Sequence, residues 1–130
     1  MKKILSLILV VCLVLVISVA VLTGCGLFKT VTVEEAKTNL ENAGYEVTVI
    51  SGERYVDSAE NPYPFLLAHE LNYYLYAVKG DEKIYLYFFS SIDYASDNYT
   101  FMNGESGMTS GQSNELVYFA TKQAKSDAGL

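Results

Sequence analysis

The amino-acid sequence predicts an α+β fold. An N-terminal apolar signal helix is followed by a small, mainly antiparallel four-stranded sheet with helices on one face. The order is α-β-β-β-α-β with a short helical tail. Three observations carry this. An amphipathic segment closed by glycine runs into β-branched residues at 32–50. Two apolar arms flank a Gly-Asp turn at 71–90. A helix-period segment then precedes a last apolar run at 116–121.

Thr32-Val33-Glu34-Glu35 is a capping box, a hydroxyl at the N-cap with a carboxylate three positions on. Val33, Ala36, Leu40 and Ala43 then share one helical face, and Gly44 closes the helix as its C′ residue. Residues 45–50 alternate Tyr45, Val47 and Val49 against Glu46, Thr48 and Ile50, which is a strand. Residues 51–64, with two prolines and scattered acids, read as loop, and residues 65–70 as a short helix or a lead-in to the next strand. A two-residue turn at Gly80-Asp81 pairs Tyr73, Leu75 and Ala77 with Phe88, Leu86 and Ile84 on one face. On the other it pairs Tyr74 and Tyr76 with Tyr87 and Tyr85. Residues 91–102 form a second helix, with Ser91 as N-cap and Ile92, Ala95, Tyr99 and Met102 on one face. Residues 103–114, rich in Gly and Ser, read as the most flexible part; a fourth strand covers 116–121, and the chain from Lys122 is weakly helical and then frayed.

Residues 1–24 read as an export signal and are set aside from the fold. Lys2 and Lys3 precede an apolar run over 4–22, broken only by Ser6 and Ser18 and ending at Leu22-Thr23-Gly24-Cys25. This tetrapeptide resembles the lipobox of bacterial lipoproteins: an aliphatic residue, two small residues, then cysteine. The resemblance implies that Cys25 receives a diacylglyceryl group and that signal peptidase II cleaves before it. Residues 25–31 are then the lipidated cysteine and a short tether, and residues 32–130 a single extracytoplasmic domain. The competing reading is an uncleaved signal anchor, since the 19 residues of the run approach the roughly 20 that span a bilayer. The match ending in cysteine favours the lipoprotein. Both readings leave the domain outside, because the lysines stay inside. Gly26, where inner-membrane retention requires aspartate, suits the outer face of a Gram-positive plasma membrane. Six tether residues reach at most about 20 Å, so the domain is expected close to the bilayer.

After residue 25 the chain carries seven basic and fifteen acidic side chains, a formal net charge of −8. Such a surface repels nucleic acid and anionic headgroups, so membrane attachment falls to the lipid on Cys25. No cysteine follows Cys25, which excludes a disulfide, a cysteine-ligated zinc or a cysteine nucleophile from the domain. The remaining length is too short for the two lobes of a transporter's substrate-binding protein.

Candidate chemistry is sparse. His69, the single histidine, has no G-x-S-x-G elbow to serve and cannot build a histidine-rich zinc site. The carboxylate pairs Glu34/Glu35, Asp57/Glu60 and Asp81/Glu82 suit glycosidase chemistry only if two of them face a groove; capping, loop solubility and turn formation explain them equally well. The clusters Asp57, Glu60, Asn61 and Asp93, Asp97, Asn98 lack the spacing of a calcium loop, and Gly104, Gly107 and Gly111 lack the lysine of a phosphate loop. No catalytic, cofactor or metal residue is therefore assigned, and the chain is not read as an enzyme. The tyrosines stand apart: 11 in all, every one after Cys25, and no tryptophan. Tyr74, Tyr76, Tyr85 and Tyr87 form a ladder suited to an envelope protein, peptide or glycan, unless a helix or loop covers it. The expected function is a lipid-anchored binding or interaction module at the cell envelope. A small envelope-acting hydrolase and an immunity or inhibitor lipoprotein are the alternatives.

Overall fold

The computed structural model describes residues 30–130. The segment read as an export signal and the lipobox residues Leu22, Thr23, Gly24 and Cys25 lie outside them. Among the described residues no helix is long and apolar enough to cross a membrane. The elements are α1 (Val33–Asn42), β1 (Glu46–Ser51), α2 (Gly52–Val56), β2 (Leu71–Lys79), β3 (Glu82–Phe89), α3 (Ile92–Tyr99), β4 (Thr109–Ser113), β5 (Leu116–Ala120) and α4 (Lys122–Asp127). The fold is α+β, with one antiparallel sheet in the order β1-β2-β3-β5-β4.

Helix α1 begins as its capping residues dictate, with the Thr32 hydroxyl accepting from the Glu35 amide at 3.2 Å. It ends in a Schellman motif: Gly44 takes a φ of 94°, the Tyr45 amide reaches the Leu40 carbonyl, and the Gly44 amide reaches that of Glu41. The β2–β3 hairpin has the expected register, with Tyr74 opposite Tyr87 and Tyr76 opposite Tyr85 around the Gly80-Asp81 turn. Near its base an irregularity between Leu71 and Tyr73 shifts the pairing, and Leu71 packs on the opposite face from Leu75 and Ala77.

Five expectations are corrected. The sheet has five strands, because the Gly/Ser-rich segment contributes β4 at an edge. Its sequence, Thr-Ser-Gly-Gln-Ser, carries no apolar alternation. The strand is held by backbone pairing to β5, and the Tyr118 ring lies over Gly111 so closely that a Cβ there would meet Tyr118 Oη at 2.5 Å. Helices cover both faces: Ala36 and Leu40 of α1 and Ala124 of α4 pack with Leu75, Ile84 and Leu86, whereas Tyr55 of α2 and Ala95 of α3 pack with Tyr74, Tyr87 and Phe119. The segment read as loop contains α2, whose five residues are too few to show a period; its marker is Ser51, which caps the Arg54 amide. Ile92 is exposed; α3 buries Ala95 as expected, together with Asn98, and it ends at Tyr99, ahead of Met102. The C-terminal residues do not fray. Ala124 and Ala128 are buried, Tyr45 donates to Asp127, and Asn39 donates to the Ala128 carbonyl.

Candidate functional site: a tyrosine-lined cavity

Alternation along β2 and β3 places Tyr74, Tyr76, Tyr85 and Tyr87 on the face that α2 and α3 cover. The four are not equivalent. Tyr74 and Tyr87 are buried beneath α2, and Tyr76 and Tyr85 are half-buried further toward the Gly80-Asp81 turn. The Tyr55 ring stacks on Tyr74 with centroids 4.0 Å apart, and its hydroxyl lies 3.0 Å from that of Tyr87. Tyr76 and Tyr85 stack at 5.0 Å.

Two loops complete the enclosure. Residues 57–70 supply Glu60 and Tyr63, and residues 100–108 supply Asn103, Gly104 and Glu105. The loops are tied together by the Tyr63 hydroxyl, which donates to the Asn103 carbonyl at 2.6 Å. Tyr85 donates to Glu105 Oε1 at 2.7 Å, and Lys83 Nζ stands 3.9 Å from Glu105 Oε2. Between them lies a cavity of about 210 Å³, floored by Tyr74, Tyr87 and Phe119. It continues into a shallower depression over Thr48 and Tyr76, with Glu60, Tyr74 and Tyr85 common to both.

The Tyr74 hydroxyl is the unusual group. The side chain is 5% exposed. Tyr55, Tyr63, Tyr85 and Tyr87 each have a hydroxyl partner, yet Tyr74 Oη makes no hydrogen bond among the described residues. No fully enclosed side-chain oxygen or nitrogen is left unpartnered. The Tyr74 oxygen is therefore not sealed within the protein, and its side chain lines both the cavity and the adjoining depression.

Burial holds the phenols in their neutral form. It pushes Tyr55 up to about 12. It raises Tyr63, Tyr74 and Tyr87 as well, and Tyr85 with the added push of the Glu105 carboxylate. At neutral pH these groups donate and accept hydrogen bonds but supply no phenolate nucleophile. The cavity thus offers aromatic rings, one free phenol oxygen and two carboxylates.

The other sequence candidates lie apart from it, save Glu60 and Gly104. His69 is exposed, its ring edge-on to Tyr94 at 5.8 Å, and its carbonyl accepts from Ser90. Glu34 and Glu35 sit in the first turn of α1, and Asp81 and Glu82 at the hairpin. Asp93 lies in the first turn of α3, while Asn98 is buried and donates to Glu70 and the Tyr94 carbonyl. Among the described residues no three His, Cys, Asp or Glu side chains converge as a metal site would require. Tyr55, Tyr63, Glu105 and Phe119 were not singled out by sequence reasoning; they come from four separate segments, and the only trace was the surplus of tyrosine. No family model, curated protein or solved structure matches the chain.

Proposed function

We propose that this protein is an envelope lipoprotein, anchored through a diacylglyceryl group on Cys25, whose domain is a binding module with the tyrosine-lined cavity as its ligand site. The observation that carries the reading is the Tyr74 hydroxyl, unpartnered among the described residues, on a side chain that lines a cavity whose other tyrosine hydroxyls are all engaged. A phenol oxygen that is not sealed within the protein and has no partner among the described residues is available to a ligand's polar group. Binding is favoured over catalysis because the phenols bordering the cavity are held protonated and His69 lies apart from it.

The entry of the chain supports a ligand approaching from outside. Thr30 donates to the Ser113 carbonyl and accepts from Asn114, at the end of the sheet opposite the Gly80-Asp81 turn. The half-open pair Tyr76 and Tyr85 lies toward that turn, on the face away from α1. A short tether from Cys25 would then join the domain at the end away from that pair. The reading is tested by placing a photo-crosslinking phenylalanine analogue at Tyr76, or at Lys37 of α1 as a control, in native membranes. A discrete adduct from position 76 alone is expected. Equal labelling from both positions, or none from position 76, refutes it.

A further inference from the structure

Resting on that reading, we infer that the cavity receives the side-chain ammonium of a lysine carried by a peptide or protein partner. Tyr55, Tyr63, Tyr74, Tyr85 and Tyr87 border one space; stacking covers one face each of Tyr55, Tyr74 and Tyr85, and cations are attracted to the aromatic faces left open within about 6 Å. The domain's resident cation–ring contacts, Lys79 over Tyr45 and Lys125 over Tyr118, both lie on the opposite face of the sheet. Glu60 and Glu105 add two carboxylates to the wall, against the single nearby cation Lys83, in a domain already strongly acidic. Tyr74 Oη is a free acceptor at the floor.

The acceptors select among cations. A quaternary ammonium has no N–H to give the Tyr74 oxygen. A guanidinium presents a planar fork that asks for both oxygens of one carboxylate. On Glu105 one oxygen is engaged by Tyr85 and the other faces Lys83, which leaves Glu60 alone to take such a fork. A primary ammonium is a compact group with three rotatable donors, which suits separated acceptors. At about 210 Å³ the cavity is smaller than the roughly 300–1,000 Å³ of most small-molecule sites. This enclosed part accommodates an alkyl stem with a charged tip, and the shallower depression over Thr48 and Tyr76 adjoins it. The partner's polypeptide character follows from the rim. Phe65 packs on Tyr63 at 5.6 Å and on Phe101 at 6.0 Å, and Phe65 and Phe101 are exposed beside the mouth. They offer an apolar residue next to the lysine a place to lie.

The test uses the intact protein in detergent, with tyrosine ring resonances followed by NMR. N-acetyl-lysine methylamide is expected to shift the Tyr74, Tyr85 and Tyr87 rings with millimolar affinity, weakening as salt is raised. N-acetyl-norleucine methylamide, which lacks the ammonium, should bind at least tenfold more weakly. Glu60→Gln and Tyr74→Phe should each weaken lysine binding several-fold, and Lys83→Gln should strengthen it by removing the competing cation. Equal binding of the norleucine compound, of tetramethylammonium, or of N-acetyl-arginine methylamide overturns the lysine assignment. So does indifference to Glu60→Gln and Lys83→Gln together. If position 76 crosslinks a partner in membranes while the lysine compound fails to bind, the lysine assignment falls and the binding module stands. If neither occurs, both fall.

Discussion

Replacing Gly52 with alanine probes how the covered face of the sheet is assembled. Gly52 opens α2 directly after β1, and its backbone is not in the left-handed region, so conformational freedom is not what requires glycine. Space is. A Cβ built there would lie 1.8 Å from the Leu71 carbonyl oxygen, 2.4 Å from its carbon and 2.9 Å from Leu71 Cβ. Ordinary contact begins at 3.4 Å, so α2 and the start of β2 must separate by more than an ångström. Both rest on one apolar cluster: Leu71 is 3% exposed and Tyr55 1%. Separation therefore unseats Tyr55 from Tyr74 and breaks its hydroxyl contact with Tyr87. Alanine would gain roughly 0.5–1 kcal/mol of helix propensity at an unhindered helical position. Overpacking against backbone typically costs roughly 1–3 kcal/mol, and losing the Tyr55–Tyr87 contact about another 1 kcal/mol. The net expectation is about 2–3 kcal/mol of destabilisation, a fall in Tm of roughly 10–20 °C for a domain of this size. Urea unfolding followed by far-ultraviolet circular dichroism measures it. Gly80→Ala is the control, with open space around a φ of 59°, and should cost only about 1 kcal/mol through backbone strain. A Gly52→Ala midpoint equal to wild type, or a loss no larger than that of Gly80→Ala, would refute the steric argument.

Four further outcomes are expected. Tyr87→Phe should lose about 1–2 kcal/mol in the same urea assay, because it strands the buried Tyr55 hydroxyl. Absorbance titration of the phenols should show Tyr45, Tyr55, Tyr63, Tyr74, Tyr85 and Tyr87 ionising above pH 10; since their folded pKa values are raised, stability is intact below pH 10 and falls as pH rises beyond it, so their ionisation should track unfolding. The bond from Tyr45 holds the Asp127 carboxyl below its usual range, so this contribution is present at neutral pH and lost as pH falls below about 4; Tyr45→Phe should flatten the acid limb of the stability curve measured by urea midpoints from pH 2 to 7. Intact mass of membrane-extracted protein should show loss of residues 1–24 and gain of a diacylglyceryl group, absent in Cys25→Ala; a full-length unmodified mass in both would mean an uncleaved anchor.

Local chemistry was legible wherever one residue type acts on its immediate neighbours. Thr32 and Gly44 mark the ends of α1, Ser91 begins α3, and Gly80-Asp81 sets the hairpin register. That register, with strict two-residue alternation, already put Tyr74, Tyr76, Tyr85 and Tyr87 on one face. Strand β4 was illegible because its residues bury nothing of their own; it exists because β5 offers an unpaired edge and Tyr118 covers Gly111. Helix α2 was illegible because five residues show no period, and what holds it is Tyr55 landing on Tyr74, 19 positions away.

Residue order settles both ends of α1, the start of α3, the hairpin, the parity of the tyrosines and the acidic character of the domain, since each follows from neighbours within a few residues or from composition. Tertiary structure decided the rest: which face α2 and α3 cover, that two tyrosines of the ladder are buried and two half-open, and that Glu60, Tyr63 and Glu105 meet around them. These depend on how segments far apart in the chain pack against both sides of one sheet. Packing selects among arrangements that local propensities leave nearly equal in free energy.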